Sequence, residues 1–434
     1  MPVQVREYAR LTKCISHVPS IDLGLISETT FNWITRELRG SEQSAKVWKY
    51  ETPDTLKLGS FVGYIETPNG ESIEVLPKTS QGSSDIEKDR LLLRRMLLSV
   101  FALPSREIGP ADLMRTDRPI HEWILAQFLG ELKKLVKLGF RFDYERVEEE
   151  SYYLRGQLDV ARQQRQPANK AHQFHIRHDV FSPNRVENQL IKTALEYSLK
   201  VTKDNENWRL ANELNHYLED IESLTKPLHF IESWTHSKLM QAYTDIKPWC
   251  VLVLEKLNPI FQKGNHRGIS LLFPMEQLFE KYVVQCLRKS LRSPARLQEQ
   301  AKSKYLVSHQ PSGRAEPTRW FQLKPDILLW GSETSHVLDT KWKLINESLN
   351  TSENKYGVSQ ADMYQMLAYG YRYQLGQGHM MLIYPKHSGF TLPVGQFNYS
   401  DDLKLWVVPF CLESGLLIQG EWSEYFPPLQ FEGG

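Results

Sequence analysis

Residues 324–343 read KPDILLWGSETSHVLDTKWK. An acid follows a proline, the apolar run ILLW follows the acid, a small polar turn at Gly331 to Ser335 interrupts, and a second apolar run leads into Asp339-Thr340-Lys341. Two apolar runs around a polar turn predict a hairpin. Strand alternation sets Asp339, Lys341 and Lys343 on one face and Leu338, Thr340, Trp342 and Leu344 on the other. Folding at the turn brings Asp326 back alongside Asp339. Two carboxylates converging on one point repel unless a cation lies between them, and hard oxygen ligands favour Mg2+. Lys341 beside them would offset charge developing on a phosphate and orient or help deprotonate an attacking water. The same residues also suit a surface hairpin whose acids and lysine pair in solvent. Asp-x-Lys alone does not choose between the two.

The flanking segments shift the balance. FPMEQLFEKYVVQCLRKSLR predicts a helix with Glu276 and Glu280 one turn apart on one face, and Glu280 is placed to complete a metal shell or hold a metal-bound water. SQADMYQMLAYGYRYQL predicts a second helix, opened by Ser359 as N-cap, with Gln365 and Tyr369 four apart so that both can face the acidic edge of the hairpin. HMMLIYP follows as a buried strand. Each residue alone is more commonly a packing or surface residue. The order helix, Pro-Asp strand, Asp-x-Lys strand, helix is what carries chemistry.

Composition limits the alternatives. The chain has 434 residues, enough for several domains with real cores. A net charge of +1, with 24% charged and 41% hydrophobic residues, excludes a globally basic polyanion coat and argues against disorder. Any contact with nucleic acid must be local. Cys14, Cys250, Cys286 and Cys411 form no CxxC pair, which speaks against a zinc finger or iron-sulfur cluster and for a reducing, cytoplasmic setting. No basic-then-apolar leader and no long apolar run appear, so no membrane contact is expected.

From the start to about Leu76 the pattern is short and strand-like, with the turn Pro68-Asn69-Gly70 between SFVGYIET and ESIEVLP. Ser84 and Glu87 then form a capping box ahead of a helix, IEKDRLLLRRMLLSV, and a second helix covers IHEWILAQFLGELKKLVKLG. Residues 141–170 return to strand character. Helices follow in NRVENQLIKTALEYSLKVTKD and NWRLANELNHYLEDIESL. A Gly- and Asn-rich basic stretch near residues 258–273 marks the last boundary. His172, His175 and His178 stand three apart, but on a strand that spacing alternates faces and does not build a metal site; with Arg162, Arg165, Lys170 and Arg177 nearby, a basic segment is the better reading. Lys263, His266 and Arg267 are candidates for guiding DNA, or equally a solvated loop.

The order of the C-terminal elements resembles the PD-(D/E)xK nuclease superfamily, with a Gln-x-x-x-Tyr helix like that of its RecB-like branch. Phrases across the chain are also similar to one family, McrC, the nuclease subunit of the McrBC modification-dependent restriction system: VGYIETPNGESIEVLPK, RLLLRRML, YLRGQLDV, FSPNRVENQLIKTAL, FPMEQLFEKYV, VLDTKWK and ADMYQMLAYGY. The first sixty residues match less well. The resemblance implies an α+β multidomain chain: a β-rich and helical N-terminal region, 1–150, that docks to a partner; a mixed middle region, 151–262; and a C-terminal α/β PD-(D/E)xK restriction-endonuclease-like domain, 263–434. It implies a Mg2+-dependent DNA endonuclease, acting on double-stranded DNA with a McrB-like AAA+ GTPase hexamer that reads methylcytosine, and two nuclease subunits pairing in the full assembly. GTP would be bound by the partner, since this chain has no Gly-x-x-x-x-Gly-Lys-Ser/Thr loop. Asp326, Asp339 and Glu280 would hold the metal, Lys341 would be the catalytic lysine, and Gln365 and Tyr369 would position phosphate or water. The alternative is a non-catalytic adaptor that stimulates the motor and keeps the nuclease fold for DNA binding or assembly.

Overall fold

The computed structural model describes residues 2–14, 17–38, 44–79, 85–101, 103, 118–235, 241–256, 269–314, 316–331, 335–427 and 429–433. The chain is α+β and divides into two units, Met1–Asp117 with Leu272–Gly434, and Arg118–Leu271. This grouping differs from the three consecutive segments expected from the sequence. The reason is tertiary: the N-terminal strands share cores and hydrogen bonds with residues beyond 271, a relation that no composition shift reports.

The centre of the first unit is a sheet in the order Arg296–Glu299, Ile327–Trp330, Ser335–Thr340, Gly378–Pro385, Leu403–Cys411, Leu416–Ile418 and Phe431–Glu432, with Val394–Asn398 branching from Leu403–Cys411. Ile327–Trp330 pairs antiparallel with Ser335–Thr340, so the expected hairpin exists. Ser335–Thr340 then pairs parallel with Gly378–Pro385, and the Gln360–Tyr373 helix makes the crossover that a parallel pair requires. Val337, Met380, Leu382, Leu405 and Val407 are fully buried beneath Met366 and Tyr369 of that helix. Each large apolar side chain buried in this way contributes roughly 1.5–3 kcal/mol.

Several boundaries differ from the sequence reading. WFQLKPDILLW is two strands, Thr318–Leu323 and Ile327–Trp330, because Pro325 has no N–H to give a ladder and the chain bends at Lys324 to Asp326. The Asp339 strand stops at Thr340 rather than running to Leu344; Lys343 N bonds to Lys341 O at 3.0 Å, and Lys343 Nζ turns to Gly357 O at 2.5 Å. Lys343 is therefore not a continuation of the Asp339–Lys341 face. Two strands between 296 and 309 were not anticipated.

At the N-terminus, Phe61–Glu66 and Ser72–Leu76 form the expected antiparallel hairpin with Gly70 at φ +83° in its turn. The same stretch also contains a helix, Glu28–Leu38, which the β-branched Thr29, Thr30, Ile34 and Thr35 disguised. Phe31 and Ile34 bury its inner face in a core with Val5, Leu11, Trp48 and Leu56. The Ile86–Val100 helix is present; Ser84 lies outside the described residues, and Asp85 is the cap, accepting from Glu87 N at 3.1 Å and Lys88 N at 3.4 Å. Arg90 of this helix pairs with Glu74 in the interior.

The second unit packs helices Ile120–Leu138, Val186–Val201, Asn205–His216 and Gln241–Lys256, with Trp123 edge-on to Trp249 at 5.7 Å. Its sheet runs Asp143–Ser151, Phe174–Ser182, Gln157–Leu158. Residues 160–164 are a short helix capped by Asp159, not strand. His172 stacks on Tyr152, while His175 and His178 face Glu150 and Glu149 at 3.9 and 3.8 Å, so the three histidines do not converge. Lys263, His266 and Arg267 lie outside the described residues. Among the described residues no helix is long and apolar enough to cross a membrane.

Candidate active site

Ile327 pairs with Leu338, so one further step along the ladder sets Asp326 opposite Asp339. Pro325 ends the preceding backbone pairing and frees Asp326 to turn inward, where its Oδ2 accepts from Thr340 N and Thr340 Oγ1, both at 2.7 Å. Asp339 is 1% exposed, and neither of its oxygens accepts a hydrogen bond of good geometry among the described residues. Lys341 Nζ stands 2.7 Å from Asp339 Oδ2 as an ion pair. The surface-hairpin reading fails here, because a solvent-paired aspartate would not be buried.

The electrostatics follow from that burial. Desolvation pushes both carboxyls above the ordinary aspartate range; their mutual repulsion adds to Asp339, while Thr340 and Lys341 oppose the shift at Asp326 and Lys341 opposes it at Asp339. Burial works against the Lys341 charge, but Asp339, Asp326 and Asp362 outweigh it and hold its pKa above the usual value. Lys341 is thus an ammonium at neutral pH, a source of positive charge rather than a base.

The Gln360–Tyr373 helix orients that ammonium. Lys341 Nζ donates to Gln365 Oε1 at 3.1 Å, Gln365 Nε2 donates to Tyr369 Oη at 2.8 Å, and Tyr369 Oη donates to Lys324 O at 3.0 Å. The four-residue spacing puts Gln365 and Tyr369 on one face, and the chain of donors fixes which end of the amide meets Lys341. Burial pushes the Tyr369 phenol up to about 12, so it stays a donor. Tyr369 is engaged with the backbone and with Gln365; it positions Gln365 rather than opening onto the carboxylate pair.

Glu280, the third expected acid, is held by a neighbouring amide. Its Oε1 accepts from Gln300 Nε2 at 3.0 Å, and burial together with the nearby Asp326 charge raises its pKa. Among the described residues no group of three or more His, Cys, Asp or Glu side chains stands close enough to hold a metal. Glu280 is thus near enough to sense the Asp326 charge, with one of its oxygens held by Gln300. Mg2+ commonly uses one or two protein carboxylates and fills its octahedron with water and phosphate oxygens. An Asp326 and Asp339 pair with a buried oxygen lacking a donor fits such an ion.

Four residues of the site were not singled out in the sequence. Thr340 holds Asp326. Asp362, one turn before Gln365, lies 3.8 Å from Lys341 Nζ, and its i,i+3 spacing was a readable signal. Gln300 links Glu280 to the backbone of Asp326, its N donating to Asp326 O at 2.8 Å, with its own backbone in the left-handed region at φ +44°. Tyr384, buried in the adjoining parallel strand, faces Asp362 and Asp339, and burial raises its pKa.

The segment after Lys341 is held by the N-terminus. Glu7, fully buried, accepts from Trp342 Nε1 at 2.5 Å, Lys78 N at 2.9 Å and Ser60 Oγ at 3.2 Å. A cavity of about 470 Å³ opens beside it, lined by Tyr8, Lys78, Trp342, Lys343 and Pro385 among others.

A family model described as "McrBC 5-methylcytosine restriction system component" matches residues 56–385. The chain belongs to this family. The match spans all the phrases that carried the resemblance, from the Gly70 hairpin to the Gln365 helix, and so bears out the expected family. A solved half-complex from the tetradecameric assembly of Thermococcus gammatolerans McrB AAA+ hexamers with bound McrC contains a chain 18% identical, covering 96% of this chain and 96% of that one, at a TM-score of 0.67. A chain of the cryo-EM structure of the Thermococcus gammatolerans McrBC complex is also 18% identical, covering 67% of this chain and 88% of that one, at a TM-score of 0.50. At such identity the likeness establishes the α+β fold. No individually curated protein gives a significant match.

Proposed function

We propose that this member of the McrBC family is the DNA-cleaving subunit of its restriction system, a Mg2+-dependent endonuclease acting in the cytoplasm with a McrB-like AAA+ GTPase hexamer. The observation that carries this is the facing pair Asp326 and Asp339, buried, with an Asp339 oxygen that no donor satisfies and Lys341 at 2.7 Å. Burying a carboxylate without full pairing costs several kcal/mol, a penalty that an ion or substrate relieves on binding. The partner reading draws on the related Thermococcus gammatolerans assembly, described as McrB AAA+ hexamers with bound McrC.

In this reading Asp326 and Asp339 would hold Mg2+. Such an ion, when bound, would polarise the phosphoryl oxygen and make water a better nucleophile. Thr340 fixes the Asp326 carboxylate through two donors, leaving its second oxygen for the site. The Lys341 ammonium, aimed by Gln365, neutralises negative charge that grows on the phosphate as water attacks and the leaving oxygen departs. Tyr369 locks the Gln365 amide, and Glu280 acts at one remove, through water or through Gln300. Nucleotide is bound and hydrolysed by the partner, which also reads the modified cytosine; this chain supplies cleavage and, when two copies meet, a cut on each strand.

The test is to substitute Asp339→Ala, supply the partner GTPase, and measure both cleavage of methylated plasmid and GTP turnover. The nuclease reading expects cleavage to disappear while stimulation of turnover remains. Wild-type cleavage by the variant refutes the site. If neither form cuts while both stimulate turnover, the chain is an adaptor. Cleavage by the wild type without nucleotide or partner makes it a standalone nuclease.

A further inference from the structure

Between the Glu280 helix and Asp326 the chain builds a ribbon for which the site itself has no use. Among the described residues, Lys304–His309 and Thr318–Leu323 pair with each other and with no other strand, and no residue of either is buried. A two-stranded ribbon that buries so little is marginal in water, and only its base, at Leu323, packs against the core of the sheet. Its apolar side chains are nevertheless large: Trp320 lies against His309 at 4.5 Å with the rings tilted by 60°, and Phe321 is 68% exposed. Phe321 also has φ +57°, and the ladder skips the step where it would face Leu306. A strained, exposed aromatic inside a strand points to a contact that lies outside the chain.

The charge is equally one-sided. From Lys302 to Lys324 the segment carries Lys302, Lys304, Arg314, Arg319 and Lys324 against the single acid Glu316. Lys304, Ser308 and Arg319 join Arg372 of the Gln360–Tyr373 helix around a hollow of about 230 Å³, and no acidic side chain lines it. The base of the ribbon is fixed to the same helix that aims Lys341: Tyr373 Oη lies 3.1 Å from Ala301 O and 3.0 Å from Leu323 O, and Gln322 Nε2 donates to Lys302 O at 2.9 Å. Arg319 precedes Asp326 by seven residues, at most roughly 23 Å of extended chain, or about seven base pairs of duplex rise.

We infer that this ribbon grips duplex DNA beside the scissile phosphate, with Lys304, Arg319 and Arg372 on backbone phosphates and Trp320 and Phe321 entering the adjoining groove. The inference rests on the nuclease reading and extends it to the surface that sets the substrate's register. A two-stranded ribbon fits the major groove of B-DNA, and cations around a hollow that no acidic side chain lines, flanked by exposed aromatic rings, complement a polyanion with apolar base edges. Phosphate contacts of this kind release counterions and so leave a salt signature.

The experiment uses the full chain without divalent ions, a fluorescein-labelled duplex of roughly 30 base pairs, and anisotropy titrations from about 50 to 200 mM salt. The combined variant Lys304→Ala, Arg319→Ala, Arg372→Ala is expected to bind about tenfold more weakly or worse, with the slope of log K against log salt smaller by about 2 to 3. Trp320→Ala with Phe321→Ala is expected to weaken binding with the slope unchanged. The charge-keeping variant Lys304→Arg, Arg319→Lys, Arg372→Lys should retain the wild-type slope, which separates lost charge from lost folding. Wild-type affinity and slope in the alanine variant overturn the inference, as does a wild type that binds no duplex with or without the motor. So does an alanine variant that binds DNA normally but no longer stimulates the motor, since the ribbon would then be a protein-docking surface. If the wild type cuts no DNA while the ribbon variants still lose duplex binding, the nuclease reading falls and the ribbon stands.

Discussion

Glu122 in the Arg118–Leu271 unit and Asp339 in the other are both carboxylates withdrawn from water, 4% and 1% exposed. Glu122 is saturated with donors: Thr202 Oγ1 at 2.7 Å, Lys203 N at 2.6 Å, Asp204 N at 3.1 Å and Asn207 Nδ2 at 2.8 Å. Burial alone would raise its pKa, yet His121, Thr202 and Lys203 reverse that and hold it at about 2. Asp339 has an ion pair with Lys341, a second acid opposite and no good hydrogen bond, and its pKa rises. Buried polar groups are normally satisfied within the protein. Glu122 obeys that rule and ties helix ends together; Asp339 breaks it at a point where a cation and a phosphate would complete the pairing.

The contrast has opposite consequences for substitution. Asp339→Asn should reduce cleavage by roughly a thousandfold or more, because it removes a ligand and half of the field that holds Lys341. It should also raise the metal-free unfolding midpoint, since one of two facing charges is gone. Activity assays and calorimetry on the same preparation check both halves. A variant that loses activity by losing stability would erase the distinction between the two carboxylates.

Glu122→Gln is the converse. It should cost on the order of 2 kcal/mol, the range for hydrogen bonds to a charged acceptor, while leaving cleavage per folded molecule unchanged. The pH sign also differs from the active-site acids. The folded pKa of about 2 lies below the ordinary 4.5, so this contribution is complete above pH 4.5 and fades as pH falls towards 2. Chemical denaturation at pH 7 and pH 3 should show the wild-type advantage shrinking at the lower value.

Glu7 offers the smallest effect and a finer test. Burial raises its pKa to about 7 despite donors from Lys78, Trp342 and Ser60. Because the folded value exceeds the unfolded 4.5, this group's stabilisation is full below pH 4.5 and is lost as pH rises to 7 and beyond. Glu7→Gln keeps an acceptor for Trp342 and should raise the melting midpoint by about 1 to 3 °C at pH 8 and leave it unchanged at pH 5. An equal shift at both pH values would mean that Glu7 behaves like Glu122, as a settled structural acid.

How much of this was legible in the sequence depended on distance along the chain. The Pro-Asp and Asp-x-Lys strands are separated by one turn, so alternation and register alone set Asp326 opposite Asp339. Gln365 and Tyr369 were readable because helical spacing puts them on one face. Glu280 was read as completing the metal shell or holding a metal-bound water; the bond that its carboxylate accepts from Gln300 was not legible, because the strands Arg296–Glu299 and Lys304–His309 were not anticipated. The bond from Trp342 to Glu7 joins residues 335 positions apart, and no local pattern encodes such a partner. The Glu28–Leu38 helix was hidden for another reason: its β-branched residues argue for strand, and only the burial of Phe31 and Ile34 against the neighbouring sheet decides the matter.

The proposed cation site is the Asp326 and Asp339 pair, in which the Asp339 oxygens accept no hydrogen bond among the described residues. It is tested most directly by following the unfolding midpoint of the wild type and of Asp339→Asn as Mg2+ is added in the absence of DNA. The account predicts a midpoint that climbs with the logarithm of Mg2+ concentration for the wild type and stays flat for the variant, as expected when an ion binds only the folded, doubly acidic site. Equal climbs in both proteins, or none in either, would contradict it.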